Sequence, residues 1–125
     1  MRLWFLIGAA SAFLAVLIGA MGAHSLEPLM SEDGVENFKT ANAYHMWHSA
    51  ALIIVGILVK LELGRRNLLT ASGYALFSGI LLFSGNLYIL SIFGNNPAHL
   101  LIPVGGLFFL LGWLTMFIAI WKKKY

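Results

Sequence analysis

The stretch LWFLIGAASAFLAVLIGAMGA, residues 3–23, decides the fold. It runs 21 residues without a single charge. As an α-helix it rises about 31 Å, enough to cross a hydrocarbon core of about 30 Å. Three comparable runs follow, at about 41–61, 68–93 and 100–121. Backbone polar groups in lipid must be satisfied internally, so these runs are helices, and a closed barrel would need an alternating polarity that is absent. Hydrophobic residues make up 60% of the 125-residue chain and charged ones only 10%, where soluble domains carry about a quarter. A water-soluble globule is therefore excluded. The expectation is one all-α transmembrane domain over residues 1–125, an integral membrane four-helix bundle. No cysteine is present, which removes disulfides, thiolate metal sites and cysteine nucleophiles. Arg2 ahead of the first run and Ala20-Met21-Gly22 near its end also fit a secretory signal, but the run exceeds the usual core of about 7–15 residues. A retained first helix is expected.

Basic residues set the direction of the spans. Arg2, Lys60, Arg65, Arg66, Lys122, Lys123 and Lys124 fall on one side of an even-numbered bundle, and only Lys39 on the other. Both termini are therefore expected in the cytoplasm, with the 24–40 connection and the Gly94-Asn95-Asn96-Pro97 turn outside. The net charge of +3 reads as orientation, not as nucleic-acid binding. The outer connection holds Glu27, Glu32, Asp33 and Glu36. Asp33 with Glu36 three residues later has capping-box spacing, so helix two is expected from about Gly34 to Leu61, its first amphipathic turns in the headgroup region.

Small residues mark the packing faces. Gly8, Ala12, Ala15, Gly19 and Gly22 form a stripe on the first helix. Ala71, Ala75, Ser78 and Gly85 repeat it on the third, and Gly105 and Gly112 lie one heptad apart on the fourth. Such residues let backbones approach where lipid removes the hydrophobic drive. Packing within one bundle is the leading reading, and a homo-oligomer interface is the alternative.

Polar side chains inside spans are costly and point to function by default. Under the assigned direction they gather in the outer leaflet: His24; Tyr44, His45, His48 and Ser49; Ser84, Asn86 and Tyr88; and His99 with Pro103. His45 and His48 are spaced i, i+3 and so share a helix face. With His24 they are candidate metal ligands, or axial ligands to a haem. The leading reading is that each imidazole bonds a nearby carbonyl or hydroxyl. No Asp, Glu, Lys or Arg lies deep in any span, and ion-coupled transport usually needs such a group. A nucleophile elbow, a zinc helix and a nucleotide loop are all missing from the sequence.

Gly19-Ala20-Met21-Gly22-Ala23-His24-Ser25-Leu26 resembles the signature of a small bacterial membrane family catalogued as domain of unknown function 423. Phe38-Lys39-Thr40-Ala41 with Tyr44 and His48 resembles its second motif, and Leu82-Phe83-Ser84-Gly85-Asn86-Leu87-Tyr88 its third. Pro103-Val104-Gly105-Gly106, followed by Gly112-Trp113, resembles the fourth. Four ordered motifs cover essentially the whole chain. The family pattern has Gln at the position of His45 and Ser at that of Asn86, and His99 lies outside it. The resemblance implies a four-span inner-membrane protein, with a shared site drawn from His24, Tyr44, His48, Ser84 and Tyr88, and brings no activity with it.

The leading functional expectation is a non-enzymatic multi-pass protein of the bacterial cytoplasmic membrane. It would serve as a structural or accessory subunit to a membrane-protein partner, or bind a lipid at a cluster of His24, Tyr44, His48, Ser84, Asn86 and Tyr88. Two alternatives stand beside it. One is a haem or metal protein using His24 and His48; the other is an oligomeric transporter or channel for a small uncharged solute.

Overall fold

A computed structural model describes residues 2–124 and is helical throughout its four long segments. Helix α1 covers Arg2–Met21 and continues through a π-helical turn, Gly22–Leu26, and a 3₁₀ turn, Glu27–Leu29. Helix α2 covers Glu32–Lys60. The third segment is α3, Arg66–Gly79, then a π-helical stretch, Ile80–Gly85, then α4, Asn86–Phe93. Helix α5 covers Leu101–Trp121. All four segments are long and apolar enough to cross a membrane.

Each segment packs on its neighbour in the chain: α1 along α2, α2 on the third segment, and the third segment on α5. Gly8 lies against Ile53 and the Ser49 carbonyl, Gly19 against Asn42, and Gly22 under the Phe38 ring. On the other side, Gly112 lies against Leu76, and Gly105 meets the backbone of Leu82 and Phe83. The core runs from Trp4 through Leu52, Val55, Leu69, Leu76 and Phe109 to Met116. Trp4 joins α1 to the third segment by lying over Gly73, with its ring edge-on to Tyr74 at 5.0 Å. Phe13, Leu110 and Trp121 turn outward, each more than 65% exposed, as side chains solvated by lipid do.

Three details differ from the sequence reading. The cap of α2 is Ser31, whose Oγ accepts from the Gly34 N–H at 3.0 Å, two residues before Asp33; both acids Glu32 and Asp33 then fall in the first turn, where the helix dipole favours them. The first turns of α2 pack on α4, with Gly34 against the Ser91 carbonyl. At 29 residues the helix is about 43 Å long, well over the hydrocarbon thickness. On α3 the buried face is Ser72, Gly73, Leu76 and Gly79. The stripe Ala71, Ala75, Ser78 and Gly85 is not a packing face: Ala71 is exposed, and a Cβ on Gly85 would meet nothing nearer than its own helix carbonyl, Ile80, at 3.9 Å.

The third difference is the π stretch. The Asn86 N–H turns back to the Phe83 carbonyl, which leaves the Leu82 carbonyl without its usual backbone donor. Asn86 Nδ2 supplies the missing hydrogen bond at 2.8 Å. The deformation sits where the α5 backbone crosses at Gly105, and π turns inside α-helices commonly mark such sites. Asn96, itself buried, donates Nδ2 to the Asn86 carbonyl at 3.0 Å and to its Oδ1 at 3.2 Å, and so ties the 94–100 connection to the start of α4. The turn into that connection uses Gly94 at φ 69°, a left-handed conformation that glycine adopts without strain.

Candidate functional site

The polar residues of the spans resolve into separate groups. The largest joins α1, α2 and α4. Asn42 Nδ2 donates to the Ala15 carbonyl at 2.8 Å and to the Tyr88 hydroxyl at 3.0 Å. Tyr88 Oη lies 2.9 Å from His45 Nδ1, and His45 Nε2 lies 3.1 Å from Ser11 Oγ. Ser11 Oγ is 2.6 Å from Ser49 Oγ, and Ser49 donates to the His45 carbonyl at 2.7 Å.

The partners assign every proton in this chain. A carbonyl only accepts, so the Ser49 proton is committed to His45 O. Ser11 must then donate to Ser49 and accept from His45 Nε2–H. That leaves Nδ1 of a neutral His45 as the acceptor for Tyr88 O–H. Every hydroxyl and ring nitrogen in this hydrogen-bonded chain has a partner, and in a low-dielectric interior such a network holds helices together and fixes their register.

His48 points elsewhere. Its ring stacks on Phe109 at 3.6 Å between centroids, and Trp113 Nε1 donates to His48 Nε2 at 3.0 Å. Nδ1 faces the Tyr44 carbonyl at 2.7 Å, so it carries the proton. His48 is thus a neutral Nδ1–H tautomer and His45 a neutral Nε2–H tautomer, three residues apart on one helix. Tyr44 stacks on Phe83 at 4.9 Å and completes an aromatic packet between α2, the π stretch and α5.

Four sequence-predicted residues stand apart from both groups. His24 is exposed and makes no hydrogen bond or ring contact among the described residues. Asn86 serves the π stretch. Ser84 is fully buried, and its Oγ has no hydrogen-bond partner among the described residues. His99 bonds only the Asn96 carbonyl, at 3.0 Å. Sequence reasoning missed Ser11, Asn42, Trp113 and Asn96. Ser11 had a signal: it sits three residues after Gly8 and four before Ala15, on the small-residue face.

This donor set does not fit a metal or haem ligated by His24, His45 and His48. The four ring nitrogens of His45 and His48 already have protein partners, and the two rings face different helices. Among the described residues no three His, Asp or Glu side chains gather into a possible metal site.

Beside the larger network a groove of about 470 Å³ opens between α1 and the third segment. Leu14, Ile18, Phe77, Leu81, Ser84 and Gly85 form much of its wall, with Ser11, His45 and Tyr88 along one side.

The fold and interior define a four-span membrane protein whose intramembrane polar groups bond chiefly to one another. The family described as "Protein of unknown function (DUF423)" matches residues 18–106, and the chain belongs to it. It is 36% identical to the UPF0382 membrane protein YwdK of Bacillus subtilis (strain 168), over 95% of this chain and 96% of that protein. It is 35% identical to the UPF0382 membrane protein SAB0533 of Staphylococcus aureus (strain bovine RF122 / ET3-1), over 98% of each chain. A UPF0382 membrane protein of Staphylococcus epidermidis (strain ATCC 12228 / FDA PCI 1200) is 34% identical over the same shares. No solved structure matches the chain.

Proposed function

We propose that the protein is a non-enzymatic, multi-pass component of the bacterial cytoplasmic membrane, with both termini cytoplasmic, that holds a lipid acyl chain in the groove between α1 and the third segment. The observation that carries this reading is Gly85. No atom of the chain outside its own helix comes within 4 Å of where its Cβ would stand, so internal packing does not require a glycine there. Its effect is to keep the groove open. The wall is mostly apolar, and Ser11, His45 and Tyr88 along it are bonded to one another, so an acyl chain suits it better than a polar solute. Seven cations against one across the bundle support the orientation, and the relatives named as membrane proteins come from bacteria.

The test is photolabelling in liposomes with a phosphatidylcholine carrying a diazirine in its acyl chain, mapped by peptide. Label should concentrate on Leu14, Ile18, Phe77 and Leu81, and Gly85→Leu should remove it while the helices remain. Label spread evenly over all outward faces, or unchanged by Gly85→Leu, would overturn the reading. Exclusion of lipid by a second copy or another membrane protein would appear as labelling absent from the groove but restored on dilution.

A further inference from the structure

The opposite, basic end of the molecule carries a second feature, and no residue lines both it and the groove. The Arg65 N–H donates to the Ala119 carbonyl at 2.9 Å. That bond fixes the start of α3 beside the last turn of α5 and brings two sets of cations together. Arg65, Arg66, Lys122, Lys123 and Lys124 then surround one open pocket of about 1040 Å³, with Trp121 in its wall. None of the five cations forms an ion pair among the described residues. Glu62, the one acid in the connection to α3, does not line the pocket.

Five positive charges around one cavity repel each other, and an anion between them removes that cost. The first turn of α3 has no side-chain cap, so its free N–H groups add to the same field. Trp121 is 75% exposed and its ring packs on Phe117 at 5.4 Å, the placing of an aromatic residue at a membrane–water interface. From there Phe117, Leu114 and Leu110 continue along α5, all more than half exposed. Their spacing with Trp121 is four, three and four residues, which keeps them on one helix face. A cationic pocket at the interface therefore leads into an apolar track on the lipid side. We infer that this end of the protein is a binding site for an anionic glycerophospholipid, its phosphodiester headgroup among Arg65, Arg66 and Lys122–Lys124 and an acyl chain along the outer face of α5. A soluble phosphate would use the pocket and leave the track without a role.

The experiment is native mass spectrometry of the full chain in mixed micelles holding equal amounts of phosphatidylglycerol and phosphatidylcholine. Phosphatidylglycerol should be retained in preference. Each pocket cation neutralised should lower that preference about fivefold, read in R65Q/R66Q and separately in K122Q/K123Q/K124Q, whose changes lie beyond the last turn of α5. K60Q, a cation at the same end outside the pocket, should leave it unchanged. Equal retention of the two lipids, or a K60Q loss as large as a pocket residue's, would overturn the site in favour of diffuse attraction. Displacement by glycerol phosphate as effective as by phosphatidylglycerol itself would overturn the lipid assignment in favour of a soluble phosphate. Gly85→Leu should not alter the preference, so failure of the groove reading and failure of this one are separable.

Discussion

Trp113 donates its indole N–H to Nε2 of His48 across the interface of α5 and α2, at 3.0 Å. The same imidazole lies flat on Phe109 one turn earlier on α5. Few backbone contacts join α2 and α5, so this packet is a main link between them, and it depends on His48 staying neutral. A proton on Nε2 would face the indole N–H donor to donor.

The link is measurable as a coupling energy. A double-mutant cycle of His48→Leu and Trp113→Phe, unfolded in mixed detergent micelles, should give a coupling of about 0.6–2 kcal/mol, the span found for interhelical hydrogen bonds in membranes. Additive effects of the two changes would show that the bond contributes nothing to stability.

The second histidine gives a sharper contrast. His45→Leu deprives Tyr88 of its acceptor and Ser11 of its donor, and should cost about 1–3 kcal/mol. His45→Gln offers one amide donor and one carbonyl acceptor, so it should recover at least half of that loss. Equal damage from Leu and Gln would mean that ring shape matters at this position and hydrogen bonding does not.

Adjacent glycines on α5 should behave differently. A Cβ on Gly105 would overlap the backbone of Phe83 and Leu82, and backbone cannot rotate away. Gly105→Ala should destabilise by about 1–3 kcal/mol. The nearest atom to a Cβ on Gly106 is the Phe83 ring, at 3.9 Å, so Gly106→Ala should be neutral or slightly stabilising through better helix propensity. Thermal unfolding of the two variants side by side decides the matter.

Asn86→Ala should act in two places. It leaves the Leu82 carbonyl without a donor and removes one anchor of Asn96, at a cost of about 1–2 kcal/mol. Amide exchange should speed up over 94–100 as well as at the π stretch. Acceleration at only one of these would separate the two roles assigned to Asn86.

The four spans were legible because apolar runs of this length have few other uses. Their irregularities were not. The π stretch at 80–85 follows from the crossing of α5 at Gly105, a contact between residues more than twenty positions apart, and no local pattern announces it. The cap of α2 was missed because Ser31 and Asp33 both precede acids, and spacing alone favoured the wrong one. The buried faces were hard to read for a physical reason. In lipid the outward face is as apolar as the core, so hydrophobic periodicity does not separate Ala71 from Ser72. The histidines were visible, but i, i+3 spacing suggested one face. The structure sends His45 to α1 and α4 and His48 to α5, because a difference of about 60° around a helix is enough to address different neighbours.

The directionality of the Asn42–Tyr88–His45–Ser11–Ser49 chain has a last consequence. It starts at an amide, which releases no proton at ordinary pH, and ends at the carbonyl of His45, a residue already in the chain. A proton-conducting wire needs a source at one end and a sink at the other. This one loops back on itself about halfway along α2, so its hydroxyls are held in one direction and cannot relay charge from one face of the membrane to the other.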